Sequence, residues 1–395
     1  MKSRVVCPYC FERLDSAPVA FRCVNPDETK CPHEIDHALA AYQRMTKADS
    51  APKVITRSPG AKKTRQSTVC SCGVRTTKRV CPHCHNDLPG QFGMSKNFMI
   101  ALVGAKQTGK SHYVAVLVHE LTNRVGESFR ASINALDERT IRRYHQDFER
   151  FVYAKSEVIP GTPSARASAD VRYPLVYRFF NERKSGIFGR ARVSTLVFFD
   201  TAGEDLDHID SMSTETRYIA NADGLVFLLD PLQMPVVRER LVGHLPLPDE
   251  ESSPDQVLFR AADLIRRFRG LGPTQLIDTP VAIALSKVDA VRSIMDPGSP
   301  VQHASQHRGF FDLADSDAVD ESVRAHLAEW AGTGLQRLAA ANFRTVRYFG
   351  ISALGSPPDP SGRLVSGVAP FRVEDPILWL LARLGVLDER RRAKR

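Results

Sequence analysis

From Asn97 onward the apolar positions fall into a repeating order: a continuous run of strand length, a polar turn, then residues at helical spacing. NFMIALV (97–103) is the first run, and a glycine loop and the helical SHYVAVLVHEL follow it. A helix is expected over 137–154. VRYPLVYRFF (171–180) and VSTLVFF (193–199) read as two strands flanking the basic turn NERKSGIFGRAR. GLVFLLD (224–230), a helix begun by Ser253-Pro254 and ended at Gly270, PVAIAL (280–285) and TVRYFGI (345–351) continue the alternation. Near the end, VEDPILWLLARLGVL (373–387) places Ile377, Leu380, Leu381 and Leu384 on one helical stripe. Asp375 is its expected N-cap, Pro376 its first helical residue and Trp379 a buried aromatic.

The first 96 residues lack this order. HEIDHALAAYQRM (33–45) reads as one short amphipathic helix, and APKVITRSPGAKKTRQST (51–68), with no acidic residue, reads as a solvated linker. The expected division is a first small module over 1–48, a basic linker over 49–69, a second small module over 70–96, a main domain over 97–390 and a basic tail over 391–395. Composition changes this picture little: 43% hydrophobic and 25% charged residues suit a folded soluble chain. Charge changes it more. Residues 1–96 hold 16 Lys and Arg against 8 Asp and Glu, whereas the remainder is almost balanced at 38 against 37. The basic front end could touch an anionic partner, nucleic acid included. No run approaches 18 apolar residues and none resembles a leader, so a cytoplasmic protein without a membrane span is expected.

All eight cysteines lie between Cys7 and Cys84, as C-P-Y-C, Cys23, Cys31, C-S-C and C-P-H-C. A short C-x-x-C turn aims two sulfurs at one ion, and four thiolates close a tetrahedral zinc site, so two structural zinc ions are expected. The local assignment groups Cys7, Cys10, Cys23 and Cys31 in one site and Cys70, Cys72, Cys81 and Cys84 in the other; a cross-braced pairing is the alternative. His33, His83 and His85 sit beside ligand cysteines, but four thiolates per site leave them outside the coordination. A closed site leaves no open position, which assigns the zinc to folding and partner recognition rather than catalysis.

GAKQTGKS (104–111) carries the G-x-x-x-x-G-K-[ST] spacing between a strand and a helix. Gly104 and Gly109 let backbone N–H groups turn toward phosphate oxygens, Lys110 reaches the β- and γ-phosphates, and the Ser111 hydroxyl ligates Mg2+. The nucleotide-holding stretch is taken as Gly104, Ala105, Lys106, Gln107, Thr108, Gly109, Lys110, Ser111 and His112. The strand 193–199 runs into Asp200-Thr201-Ala202-Gly203, where Asp200 can hold Mg2+ through water and the Gly203 N–H can approach a γ-phosphate. Asp289, in Ser286-Lys287-Val288-Asp289, can accept from both N1–H and the 2-amino group of guanine, while the Lys287 stem lies over the ring. At Ser352-Ala353 a backbone N–H can reach guanine O6.

The ordered set GAKQTGKS, DTAG, SKVD and SAL resembles the phosphate, switch II and guanine-recognition motifs of Ras-like P-loop GTPases, the translation-factor-related class included, over about residues 97–390. The resemblance implies an α/β fold, a doubly wound and mostly parallel sheet with one antiparallel strand, here preceded by small zinc-binding modules, and GTP or GDP with Mg2+ at the strands' C-terminal ends. Three positions depart from the family: Ser286 replaces an Asn, Lys106 occupies a position that is small in Ras, and Glu204 stands where a water-positioning Gln is common. Switch I implies a Thr on Mg2+; Thr162 in IPGTPS is chosen, with Ser168 nearer the strand. Lys110, Thr162, Gly203 and Glu204 form the expected catalytic set, and Arg166 and Arg172, flanking the chosen switch I, are candidates for an arginine finger supplied in cis. The long span before that strand and the zinc front end are similar to bacterial double-GTPase proteins of conflict systems. The expected function is a slow, GTP-hydrolysing switch with zinc modules for a protein partner. The alternatives are a zinc-dependent nucleic-acid binder with a structural nucleotide, against which stands the scarcity of aromatics between the basic residues of 51–80, and a P-loop ATPase, against which stand SKVD and SAL.

Overall fold

The structure is a computed structural model. It describes residues 6–14, 19–56, 66–89, 92, 96–161, 173–181, 192–199, 214–245, 247–248 and 253–391. The chain divides into two compact units, Met1–Asn97 and Phe98–Arg395.

The larger unit is built on one seven-stranded sheet: β1 (Lys96–Gly104), β2 (Ala131–Ala135), β3 (Leu175–Asn181), β4 (Arg192–Phe198), β5 (Gly224–Leu229), β6 (Val281–Leu285) and β7 (Val346–Gly350). Their order across the sheet is β7-β6-β5-β1-β4-β3-β2. β1, β5, β6 and β7 run parallel, with Val226 beside Leu102 and Ala284 beside Phe349. β3 is the one strand that runs antiparallel to both neighbours, pairing Tyr177 with Leu196 on one side and with Ala135 on the other. The expected fold class is therefore observed. β5 and β6 are buried along their whole length, as expected of central parallel strands covered on both faces, and their sequences accordingly show no alternation.

Helices cover the sheet. α1 (Lys110–Glu120) follows β1 through the glycine loop and buries Tyr113 to Val118. α2 (Glu138–Arg143), capped by Asp137 on the Thr140 N–H at 2.7 Å, runs on into a π-helical stretch, Tyr144–Lys155. α3 (Thr214–Asn221), α4 (Pro235–Leu241), α5 (Pro254–Arg269), α6 (Leu313–Ala331), α7 (Gly334–Asn342) and α8 (Asp375–Arg383) are the other described α-helices of the unit longer than one turn. α5 stops at Gly270, left-handed as its sequence requires. Trp379 is buried, with its ring centroid 5.8 Å from that of Phe349. Asp375 is not the cap of α8; it is the helix's first residue, because its carboxylate is drawn to Arg372 at 2.7 Å.

The chain leaves β1 toward β2–β4 on one side and returns to β5–β7 on the other. β1 thus sits at the point where strand order reverses, and a doubly wound sheet binds ligands outside the strand C-termini at such a point.

In the smaller unit, Ala20–Arg22 pairs antiparallel with both Val54–Ile55 and Arg79–Val80. Glu34–Ile35 pairs with Ser50–Ala51, and a helix over His37–Gln43 is capped by Asp36. The front of the expected linker is therefore not a linker: residues 50–55 supply two strand pairings, since Val54 and Ile55 bury part of their side chains against a strand that residue 20 begins. Residues 57–65 lie outside the described residues.

Candidate functional site

The glycine loop turns tightly between β1 and α1. Gln107 and Gly109 both have left-handed backbone, at φ 63° and 88°. For the non-glycine Gln107 this costs about 1 kcal/mol, and such a loop turns successive N–H groups to one side, making an anion-binding nest at a helix N-terminus. The Lys110 ammonium donates to the carbonyls of Gly104 and Ala105 at 2.9 and 2.8 Å, and the Thr108 hydroxyl to Ala105 O at 3.0 Å. Lys106 is exposed, and its carbonyl accepts from Gln233 at 3.1 Å.

Gly104 has no room for a side chain: a Cβ there would stand 2.8 Å from Leu228 O and 2.9 Å from Thr108 Oγ1. Gly104→Ala should displace the loop from β5, destabilising the unit by about 1–3 kcal/mol and weakening nucleotide binding. Thermal melting together with titration of a fluorescent guanine nucleotide checks both, and unchanged affinity would contradict this geometry.

His112, next to Ser111, accepts the Ile159 N–H on Nε2 at 2.9 Å. Burial, with the charge of Lys287 adding to it, pushes its pKa down to about 4, so the ring is neutral at pH 7. Ile159 lies in a strap that also pairs with residues 362–364, through Val158 N to Gly362 O at 2.9 Å and Leu364 N to Ser156 O at 2.8 Å. His112 therefore positions the chain that leads toward Thr162 rather than pointing freely at a ligand.

At the end of β6, the Ser286 hydroxyl donates to Leu229 O at 2.9 Å, tying the β6 turn to β5. This is the work Ser286 does where the family resemblance implies an Asn. Lys287 is left-handed at φ 50°, and its ammonium donates to the buried Asp230 carboxylate at 2.5 Å. Asp289, on the one-turn helix Val288–Val291, is half-buried. Burial pushes its carboxyl up, while the Ser352 hydroxyl, its own N–H and the charges of Arg292 and Lys287 pull it down. Val288 N donates to Ile351 O at 3.1 Å and Ile351 N to Leu285 O at 2.8 Å, so the two segments expected to read the base are joined. The backbone N–H of Ser352 is engaged by Phe371 O at 2.9 Å, and no hydrogen bond among the described residues engages that of Ala353.

The structure thus brings Gly104–His112, Lys287, Asp289, Ser352 and Ala353 to one end of one sheet. Thr162, Asp200, Gly203 and Glu204 lie outside the described residues, as do Ser168, Arg166 and Arg172. β4 nonetheless ends at Phe198, beside β1 and just before Asp200. Sequence reasoning missed Asp230, although its signal was the same as that of Asp200: a carboxylate closing a continuous apolar strand.

A second cluster, His307, Asp315 and Asp375, has metal-ligating residue types within 4.8 Å of one another. Arg372 already occupies both carboxylates, at 2.7–2.9 Å, and His307 Nδ1 accepts the Asp312 N–H at 3.0 Å, which leaves the neutral ring's proton on Nε2. The cluster is an internal ion-pair network.

In the smaller unit, the eight cysteines form two four-thiol clusters, but not by the local assignment. Cys7 and Cys10 meet Cys81 and Cys84, and Cys23 and Cys31 meet Cys70 and Cys72. The sheet formed by Ala20–Arg22, Val54–Ile55 and Arg79–Val80 carries the distant cysteine loops to one another, overriding proximity in sequence. Adjacent sulfurs stand 3.6–3.9 Å apart. A tetrahedron with Zn–S of about 2.3 Å has edges of about 3.8 Å, so both clusters fit zinc.

The two loops of the first cluster are built alike. Cys7 N donates to Glu12 O and Cys81 N to Asn86 O, while Phe11 N returns to Cys7 O and His85 N to Cys81 O. Phe11 and His85 are both left-handed, and Tyr9 N and His83 N each donate to a cysteine sulfur at 3.4 Å. Such N–H groups favour thiolate, and at Cys72 the Val74 N–H brings the thiol down to about 6. His85 is not a ligand; its Nδ1 meets Asp36 at 2.7 Å, and Asp36 also takes Arg22 at 3.0 Å.

Strand order, the nested phosphate loop and the joined base-reading turns define a GTP-binding protein of the P-loop GTPase class. More narrowly, the Double-GTPase 2 family model matches residues 98–352, and the chain belongs to that family. It is 30% identical over 403 residues to the putative ESX-1 scaffolding and assembly protein SaeC of Mycolicibacterium smegmatis, covering 96% of this chain and 99% of the other. Among solved structures it is similar to the Arl6 BBS3 small GTPase of Trypanosoma brucei with bound GppNp, at 11% identity and TM-score 0.29, over 74% of this chain and 99% of that one. It is also similar to sup35 complexed with GDP, at 13% identity and TM-score 0.25, over 66% of this chain and 38% of that one. No helix among the described residues is long and apolar enough to cross a membrane.

Proposed function

We propose that the chain is a cytoplasmic guanine-nucleotide switch that hydrolyses GTP slowly unaided and uses its cysteine-rich unit to engage a protein partner. The observation that carries this reading is the meeting of GAKQTGKS, SKVD and SAL at the C-terminal ends of β1, β6 and β7. In it, Lys110 would neutralise the β- and γ-phosphates, Ser111, Thr162 and Asp200 would hold Mg2+, and the Gly203 N–H would serve the γ-phosphate. Asp289 and the Ala353 N–H read the base. The name of the similar SaeC supports a role in scaffolding and assembly. Two zinc ions would hold the cysteine unit in shape and take no part in hydrolysis.

Slow turnover follows from Glu204. Its carboxylate can accept from the attacking water, yet it lacks an amide donor and brings negative charge toward an anionic γ-phosphate. Single-turnover GTP hydrolysis by the isolated chain should run on the order of 10⁻³ per second or slower, the range of a GTPase without an arginine finger, and Glu204→Gln should not abolish it. Fast turnover that survives both Arg166→Ala and Arg172→Ala would show that another group carries the chemistry.

A further inference from the structure

We infer that Asp230 is a positioning residue for the nucleotide, acting by holding Lys287 across the mouth of the site. The inference rests on the guanine-nucleotide reading and deepens it. Asp230 closes β5, and its side chain is fully buried. Oδ1 accepts the Leu232 N–H at 2.9 Å, which fixes the carboxylate plane, and Oδ2 accepts the Lys287 ammonium at 2.5 Å. A buried carboxylate with one charged partner depends on that partner, so the pair is a fixed feature of the fold and not an incidental surface contact.

The lysine is held at its other end as well. Its backbone is left-handed, and Val288 N to Ile351 O and Ala290 N to Lys287 O pin the turn on either side. β5 lies between β6 and β1, so a side chain that starts after β6 and ends on Asp230 runs from the base-reading turn toward the phosphate loop. Burial lowers the pKa of His112, on the first turn of α1, and the charge of Lys287 adds to it from that side. One-third of the Lys287 side chain stays exposed, which leaves its four-carbon stem available as one wall of a purine and ribose site. A free lysine would have to be ordered when nucleotide arrives; here the ordering accompanies folding, and binding is stronger by the difference. The hydroxyl of Ser286, the residue before this lysine, is engaged with Leu229 O, and the ammonium is held by Asp230 from a neighbouring strand.

The test is a double-mutant cycle on the full chain, read by titration with fluorescent GDP and by melting temperature. Asp230→Asn keeps the size of the residue and an acceptor for Leu232 but loses the charge that holds the ammonium. It should raise the Kd for GDP about tenfold, and Lys287→Met by at least as much. The double variant should bind no more weakly than Lys287→Met alone, because Asp230 then has nothing left to position. If Asp230→Asn does not fold, Asp230→Glu keeps the charge but moves it by one methylene, and a Kd raised about threefold is expected. Unchanged affinity in the variant that folds overturns the inference. So does a loss that is as large on the Lys287→Met background as on the wild type, since Asp230 would then act through the fold in general. A wild-type chain that binds no GDP removes the nucleotide reading itself, and this inference with it.

Discussion

Replacing Asp289 by Asn should weaken GDP and GTP binding by about a hundredfold or more, since a site built to hydrogen-bond a substrate N–H strongly rejects an analogue that cannot match it. On the proposed reading, the carboxylate of Asp289 would accept from both N1–H and the 2-amino group of guanine; an amide accepts at one atom only and turns a donor toward the other. Its partly buried position, with the Ser352 hydroxyl already bonded to it, makes each such bond stronger than it would be in water. The same substitution should improve xanthosine diphosphate, whose 2-oxo group accepts what the Asn amide donates. Competition titrations with GDP and XDP measure both changes. Undiminished GDP affinity would mean that Asp289 does not read the base.

Removal of zinc should unfold the cysteine-rich unit in one transition and release both ions together. The pairing of Cys7 and Cys10 with Cys81 and Cys84 closes a loop that contains the entire second cluster, and the strands at 20–22, 54–55 and 79–80 hold the two together. Arg22, Asp36 and His85 add a buried link from the first strand to the cysteine loop. A four-thiolate zinc site contributes on the order of 10 kcal/mol to folding, more than this small unit can replace by packing. Cys81→Ser should therefore lower zinc content from two ions to none, while GDP affinity changes little, because none of the nucleotide-site residues lies in this unit. Elemental analysis and circular dichroism decide the point; retention of one ion would show that the clusters fold independently.

The main domain was largely legible because β1, β3, β4, β5, β6 and β7 are long apolar runs between turn residues, and α5 is marked by Ser253-Pro254 at its start and left-handed Gly270 at its end. β2 escaped notice: in Ala131–Ala135 only Ile133 is buried, so an edge strand of five residues leaves almost no pattern. α6 did carry a stripe, with Val319, Val323, Leu327 and Trp330 buried at helical spacing, but acidic residues interrupt it and mask its start. Cysteine spacing identified the eight clustered thiols and not how they pair, because a C-x-x-C turn aims two sulfurs at one point without saying which distant turn supplies the rest. The carboxylate of Asp230 at the end of its strand was readable, but its pairing was not: its partner, Lys287, reaches it from beyond another strand, 57 positions away.

Calorimetric titration of the full chain with GDP and with ADP, each with Mg2+, tests the central claim most directly. Saturable binding of GDP, with ADP at least about a hundredfold weaker, is the expected result for a base site built on Asp289 and Ala353. Equal affinity for the two, or preference for ADP, would contradict it.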